Sequence, residues 1–115
     1  MNIIEEYFKL IDQNKFSEVL NLFSKNIVYN RCGKKIKGIS NLKKFYLVER
    51  KISGKHKIRK TNENKNTITV KGSFTGKNSK NEEIIINFTD IFQINKENKI
   101  EKRTTYADKD YPSTI

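Results

Sequence analysis

A single cysteine, Cys32, among 115 residues excludes an internal disulfide and a cysteine-based zinc site, so the fold must rest on its apolar core. As a nucleophile Cys32 would need the sole histidine, His56, at its side, and a lone cysteine more commonly packs as a small hydrophobe. No apolar run approaches the roughly 20 residues of a membrane span. The opening "MNIIEEYFKL" carries acids where a signal peptide carries lysine, which points to a cytoplasmic protein with no membrane partner. Linkers, internal repeats and low-complexity stretches are missing too. A chain of this length predicts one domain over 1–115, with a core at 3–108 and a polar tail at 109–115.

Acids are in short supply: 13 against 24 lysines and arginines, for a net charge of +11. Six of the eleven residues from Arg50 to Lys60 are basic (Arg50, Lys51, Lys55, Lys57, Arg59, Lys60), and none is acidic. This is the case for nucleic-acid binding. Against it, the bases are mostly lysine, are spread along the chain and accompany the abundant Asn and Ile of an AT-rich coding sequence, and no RNP, KH or helix-turn-helix pattern is present. Nucleic acid is therefore the lesser reading. The same charge suits a small organic ligand, favouring an anionic one.

Apolar residues recur with two periods. Ile3, Ile4, Tyr7, Phe8 and Ile11 mark one face of a first helix, with Glu5 and Glu6 in its first turn, and Phe16, Val19, Leu20 and Phe23 mark a second. "NIVYN" reads as a short strand closed by the turn "RCGKK". Ser40 is a suitable N-cap for a third helix, "NLKKFYLVERKI", whose Leu42, Phe45, Tyr46 and Ile52 form a buried stripe and which Gly54 would stop. The period then becomes two, through "HKIRKT", "NTITVKGSFTG", "EEIIINFTDIFQI" and "KIEKRTTYAD". Three helices followed by an antiparallel sheet make an α+β chain.

One strand breaks its own pattern. Every second residue of Ile84 to Ile94 is apolar except Asp90, and a carboxylate in an apolar layer needs a partner or a job. If "NKEN" is a four-residue hairpin loop, Ile94 pairs with Lys99 and Asp90 stands opposite Arg103; a loop longer by one would bring Thr104 there. A guanidinium at that place would keep Asp90 ionised. The pair is then either a structural lock on the hairpin or part of a cavity wall.

Two segments, "IIEEYFKLIDQNKFSEVLNLFSKNIVYNRCGKKIKGISNLKKFY" and "NFTDIFQINKENKIEKRTTYAD", together resemble the SnoaL-like and ketosteroid-isomerase-like proteins of the nuclear transport factor 2-like superfamily. The resemblance runs from Ile3 to Asp108 and rests on the order and spacing of its parts. It implies a cone in which a curved antiparallel sheet wraps around the N-terminal helices, an internal pocket, no cofactor, no metal and often a homodimer. Position by position, Tyr7 and Asp90 match the tyrosine and aspartate of the ketosteroid isomerase oxyanion hole. Asn30 falls where that enzyme has its general-base aspartate, and an amide cannot accept a proton at neutral pH. Arg103 would hold Asp90 charged where that enzyme needs a neutral donor, so steroid isomerisation does not follow. His56 stands where dehydratase-like relatives place a histidine base; its cationic neighbours would keep it neutral, and Asp12 could orient it, while the alternative is a rim histidine on a basic edge.

The resemblance therefore implies an enzyme doing cofactor-free acid–base chemistry (isomerisation, cyclisation, dehydration or hydrolysis), with His56, Asp90 and Arg103 as its catalytic set. Tyr7, Asn30, Arg31, Arg50 and Tyr106 are the candidate substrate-binding residues, although Tyr29 and Arg31 would face away from Asn30 in a regular strand. The alternative is a non-catalytic dimerisation or ligand-binding module, in which Asp90 and Arg103 close the cone and side chains such as Phe74, Phe88 and Phe92 fill it.

Overall fold

In the computed structural model, residues 2–108 are described, and the tail expected at 109–115 lies outside them. Helix α1 (Ile3–Asp12) starts where the Asn2 side chain accepts the backbone N–H groups of Ile4 and Glu5, and it buries Ile4, Tyr7, Phe8, Leu10 and Ile11. Helix α2 (Phe16–Leu20) is shorter than its apolar spacing suggests, because Phe23 already belongs to strand β1 (Phe23–Arg31). A two-residue turn at Cys32 and Gly33, both with positive φ, then returns the chain as β2 (Lys34–Lys37).

The third helix departs from its expected form. Gly38, at φ +82, occupies the cap position predicted for Ser40, and α3 (Ile39–Lys44) continues into a π-helical turn (Phe45–Glu49). That wider turn closes with the Arg50 N–H on the Phe45 carbonyl and leaves the consecutive Phe45 and Tyr46 both buried. The helix ends at Glu49, so Gly54 is not its stop. It lies in β3 (Ser53–Asn64), directly opposite Gly76 of β4 (Thr67–Lys77). A Cβ on either glycine would fall 2.2 Å from a backbone oxygen of the other strand, so this close approach admits no side chain.

Strands β5 (Glu83–Ile94) and β6 (Ile100–Ala107) complete a six-stranded sheet of order β2-β1-β6-β5-β4-β3. It is curved and mixed rather than wholly antiparallel, since β1 and β6 run parallel. The helices and the inner face of the sheet share one apolar cluster, with Val19, Ile27, Leu42, Val70, Phe92 and Ile100 fully enclosed. The α+β fold is that expected.

The β5–β6 register differs from the predicted one by two residues. Ile94 pairs with Ile100, and a bulge before Gln93 adds a further step, so that Thr105 stands opposite Asp90 and Arg103 opposite Phe92. A slip of one residue would have sent Arg103 to the other face; a slip of two keeps it on Asp90's.

Candidate functional site

The inner face of β5 and β6 carries a buried polar network. Arg103 Nη2 donates to Asp90 Oδ2 at 2.8 Å, the Thr105 hydroxyl donates to Asp90 Oδ1, and Arg103 Nη1 donates to the hydroxyls of Tyr7 and, at 3.2 Å, Tyr46. Tyr7 and Tyr46 share a hydrogen bond of 2.8 Å, and Tyr29 bonds Thr105 at 3.1 Å. Three rings surround the guanidinium, with centroids at 4.6 Å (Tyr29), 4.7 Å (Tyr7) and 5.2 Å (Phe92). Burial works against Arg103's charge. Asp90 first, and then the tyrosine oxygens, more than offset it and raise its pKa well above the ordinary value.

Counting protons shows what the network leaves over. Thr105 gives its hydroxyl hydrogen to Asp90, so Tyr29 must give its own to Thr105. Tyr7 and Tyr46 have two hydroxyl hydrogens between them and use one in their mutual bond. One tyrosine O–H therefore has no acceptor among the described residues, and neither has the buried Arg103 Nε–H. Burial pushes both tyrosine pKa values up, so these hydroxyls stay protonated.

A second pair joins α1 to β3. Asp12, at the end of α1, accepts the His56 backbone N–H through Oδ2 at 3.0 Å and holds His56 Nδ1 with Oδ1 at 2.6 Å. A carboxylate on Nδ1 fixes the Nδ1–H tautomer and leaves Nε2 as the basic nitrogen. The ring is packed among Phe8, Phe74 and Phe88 at centroid distances of 5.0, 4.9 and 5.5 Å. Its pKa is lowered, as expected, but the main cause is burial, with Asp12 opposing it; Arg103 and Arg50 add less, and the lysines of 50–60 are not among the causes.

The network and the His56 ring border a small cavity of about 30 Å³, room for one or two water molecules. Asp90, Arg103, Thr105, Tyr7, Tyr46 and His56 contribute to its wall. Tyr29, Arg31 and Arg50 do so as well, so the described wall carries three guanidinium groups and one carboxylate, Asp90. Arg31 is buried and stacks on Phe45 at 5.1 Å. Arg50 donates to the Ile52 carbonyl at 2.9 Å and has no carboxylate within ion-pair distance among the described residues; burial lowers its pKa. His56 and Arg50 are the only half-buried residues of the wall among those described.

Six of the eight candidate residues thus meet at one cavity: Tyr7, Arg31, Arg50, His56, Asp90 and Arg103. Two do not. Asn30 lies on the opposite face of β1, in a surface groove with Asn26, Val28 and Lys35, and Tyr106 is 59% exposed on β6. In β1 it is Ile27, Tyr29 and Arg31 that point inward, the reverse of the parity that an inward Asn30 requires. The apolar Ile27 and Tyr29 at a spacing of two carried that signal. Sequence reasoning missed Tyr46 and Thr105 as members of the network; Tyr46 looked like a core residue, and Thr105 depended on the bulge. Of the basic run at 50–60, Arg50 turns into the cavity, while Lys55, Lys57, Arg59 and Lys60 are exposed along the edge strand β3.

No family model matches the sequence, and no curated protein matches it. Solved structures do. A nuclear transport factor 2-like protein of unknown function from Exiguobacterium sp. 255-15 superposes with a TM-score of 0.81 at 23% identity, covering 95% of this chain and 100% of that one. A candidate SnoaL-like polyketide cyclase of Shewanella putrefaciens CN-32 gives 0.80 at 9% identity, over 92% of this chain and 87% of that one. An LEH-like epoxide hydrolase of M. tuberculosis gives 0.80 at 14%, over 92% and 80%. Identities this low speak for the fold alone.

Proposed function

On a chain that carries the nuclear transport factor 2-like fold, we propose a cofactor-independent enzyme that takes a small, anionic organic molecule into the internal cavity and acts on it by acid–base chemistry. Isomerisation, cyclisation, dehydration and hydrolysis are the reaction types that such a site can perform. The carrying observation is the Asp12–His56 pair at the cavity wall, with a buried network of donors beside it.

His56 is the base in this reading. Its Nε2 takes a proton from the substrate or from a water molecule, and Asp12 stabilises the imidazolium that forms. The spare hydroxyl hydrogen of the Tyr7–Tyr46 pair is a preorganised donor for a developing oxyanion, in a site dry enough for it to count. Arg103 and Asp90 fix that donor and orient the substrate or water. Arg50, which has no carboxylate within ion-pair distance among the described residues, supplies the positive charge that draws an anion in. Asn30 has no part in this set. Solved structures of the same fold are named as a candidate SnoaL-like polyketide cyclase and an LEH-like epoxide hydrolase, so the fold can house such chemistry.

We place the protein in the cytoplasm, as a homodimer through the outer sheet face where Ile85 and Tyr106 are exposed. Among the described residues no helix is long and apolar enough to cross a membrane.

One observation favours a second reading. A cavity of about 30 Å³ is close to packed shut, as in a binding or dimerisation module whose Asp90–Arg103 pair only closes the cone. Native mass spectrometry of the wild type, His56→Gln and Arg50→Met with a broad metabolite set separates the two. The enzyme reading predicts a small anion retained by the wild type, weakened in Arg50→Met, and turned over only while His56 is present. If no small molecule is retained by any of the three, the enzyme reading fails.

A further inference from the structure

Beyond the polar cavity, an open cleft of about 440 Å³ lies between α1 and the β3–β4 hairpin. It is lined by the apolar Ile4, Phe8, Ile58 and Val70 together with Asn2, Glu5 and Thr61. Ile58 is 39% exposed, an apolar side chain turned to an empty surface, and the bulge that follows it shifts β3 against β4 there. This volume falls in the range of small-molecule sites, whereas the polar cavity holds no carbon compound as it stands.

The two spaces have no lining residue in common, but their walls touch. Phe8 lines the cleft, and its ring lies 5.0 Å from His56 and 6.0 Å from Phe88, both of which line the cavity. Val70 lines the cleft and pairs across the ladder with Asp90, which lines the cavity. The Phe8 side chain therefore belongs to the layer between them, together with the His56 and Phe88 rings that it packs on. Beyond that layer lies a polar end where Arg50 has no carboxylate partner and a tyrosine hydroxyl has no acceptor among the described residues.

We propose that the α1–β3–β4 cleft is the apolar half of the binding site, that Phe8 governs access between the halves, and that the substrate class is an amphipathic carboxylate, head toward Arg50 and chain in the cleft. This rests on the reading of the cavity as a binding site. The match is chemical: unmatched positive charge and hydrogen-bond donors at one end, and an aliphatic and aromatic wall at the other. Phe8 sets the chain length admitted.

The test is calorimetric titration of the full chain with acetate, butanoate, hexanoate and octanoate as probes. Affinity should tighten by up to about fourfold per added methylene, the effect of burying each CH₂. Arg50→Met should weaken every member by a similar factor. Ile58→Glu, at a half-exposed position that folding tolerates, should flatten the dependence on chain length, and Phe8→Ala should steepen it. Equal affinity for acetate and octanoate would overturn the cleft assignment while leaving the cavity reading intact. A chain-length gain that survives in Ile58→Glu would also overturn it, because the chain would then be binding elsewhere. Failure of all four probes to bind, where the metabolite set does yield a ligand, would overturn the carboxylate class and leave the proposed function standing.

Discussion

Asp90 and Arg103 meet on a diagonal: Arg103 Nη2 reaches Asp90 Oδ2 at 2.8 Å from two residues along β6, while Thr105 stands directly opposite and takes the other carboxylate oxygen. Neither oxygen is left without a donor, and the guanidinium is wrapped in three aromatic rings. Removing one member strands the other in a buried site. Asp90→Asn and Arg103→Met should each lower unfolding stability by about 3–5 kcal/mol, measured by urea titration. An Asp90→Asn that is neutral or stabilising would mean that the carboxylate is kept at stability's expense, and would strengthen the case for a ligand at that spot.

Tyr7 and Tyr46 act as a unit, because both accept from Arg103 Nη1 and bond each other. Tyr7→Phe and Tyr46→Phe should each cost about 1–3 kcal/mol as a buried donor or acceptor loses its partner. The double variant should cost clearly less than the sum, with a coupling of at least about 0.5 kcal/mol in a double-mutant cycle. Additive losses would mean that the two hydroxyls do not share one network.

Gly76→Ala carries a larger effect than helix or strand propensity alone would give. Its Cβ would fall 2.2 Å from the Ser53 carbonyl oxygen, and Gly54 opposite leaves no slack for the strands to part. A loss of about 2 kcal/mol or more is expected by thermal or urea unfolding. A loss below about 0.5 kcal/mol would show that the hairpin does not need this close approach.

The parts legible in the sequence were those set by short-range pattern. The stripe of α1, the change from helical to alternating period near residue 53 and the shared face of Asp90 and Arg103 are all written in neighbouring residues. What was not legible depends on distant partners. β2 is four residues with three lysines and no strand signal of its own, and β1 finds β6 in parallel across some seventy residues. The bulge that moves Thr105 opposite Asp90 leaves no mark in a count along the chain. Asp12 and His56 are 44 positions apart; the sequence offered Asp12 as the residue that could orient His56, but that they meet is decided by the packing of α1 against β3. The inward turn of Arg31 was in plain view in the alternation of Ile27 and Tyr29, but the family correspondence at Asn30 argued for the opposite parity.

His56 also predicts how stability depends on pH. Burial holds its pKa below the ordinary 6.5, so between those two values the unfolded chain binds a proton that the folded chain refuses. Stability should therefore fall as pH drops below about 6.5, by at most about 1.4 kcal/mol per pH unit, and this contribution should level off below the folded pKa. His56→Gln should remove that part of the slope. A wild-type curve and a His56→Gln curve that run parallel from pH 7 downward would contradict it.

Because the chain has one histidine, the central claim can be read from one residue. The measurement is a ¹⁵N NMR pH titration of the His56 ring. The account predicts the Nδ1–H tautomer held by Asp12, an unprotonated Nε2 at neutral pH, and a titration below 6.5. An Nε2–H tautomer, or a ring that is already protonated at neutral pH, would show that His56 is not the poised base that the proposed function requires.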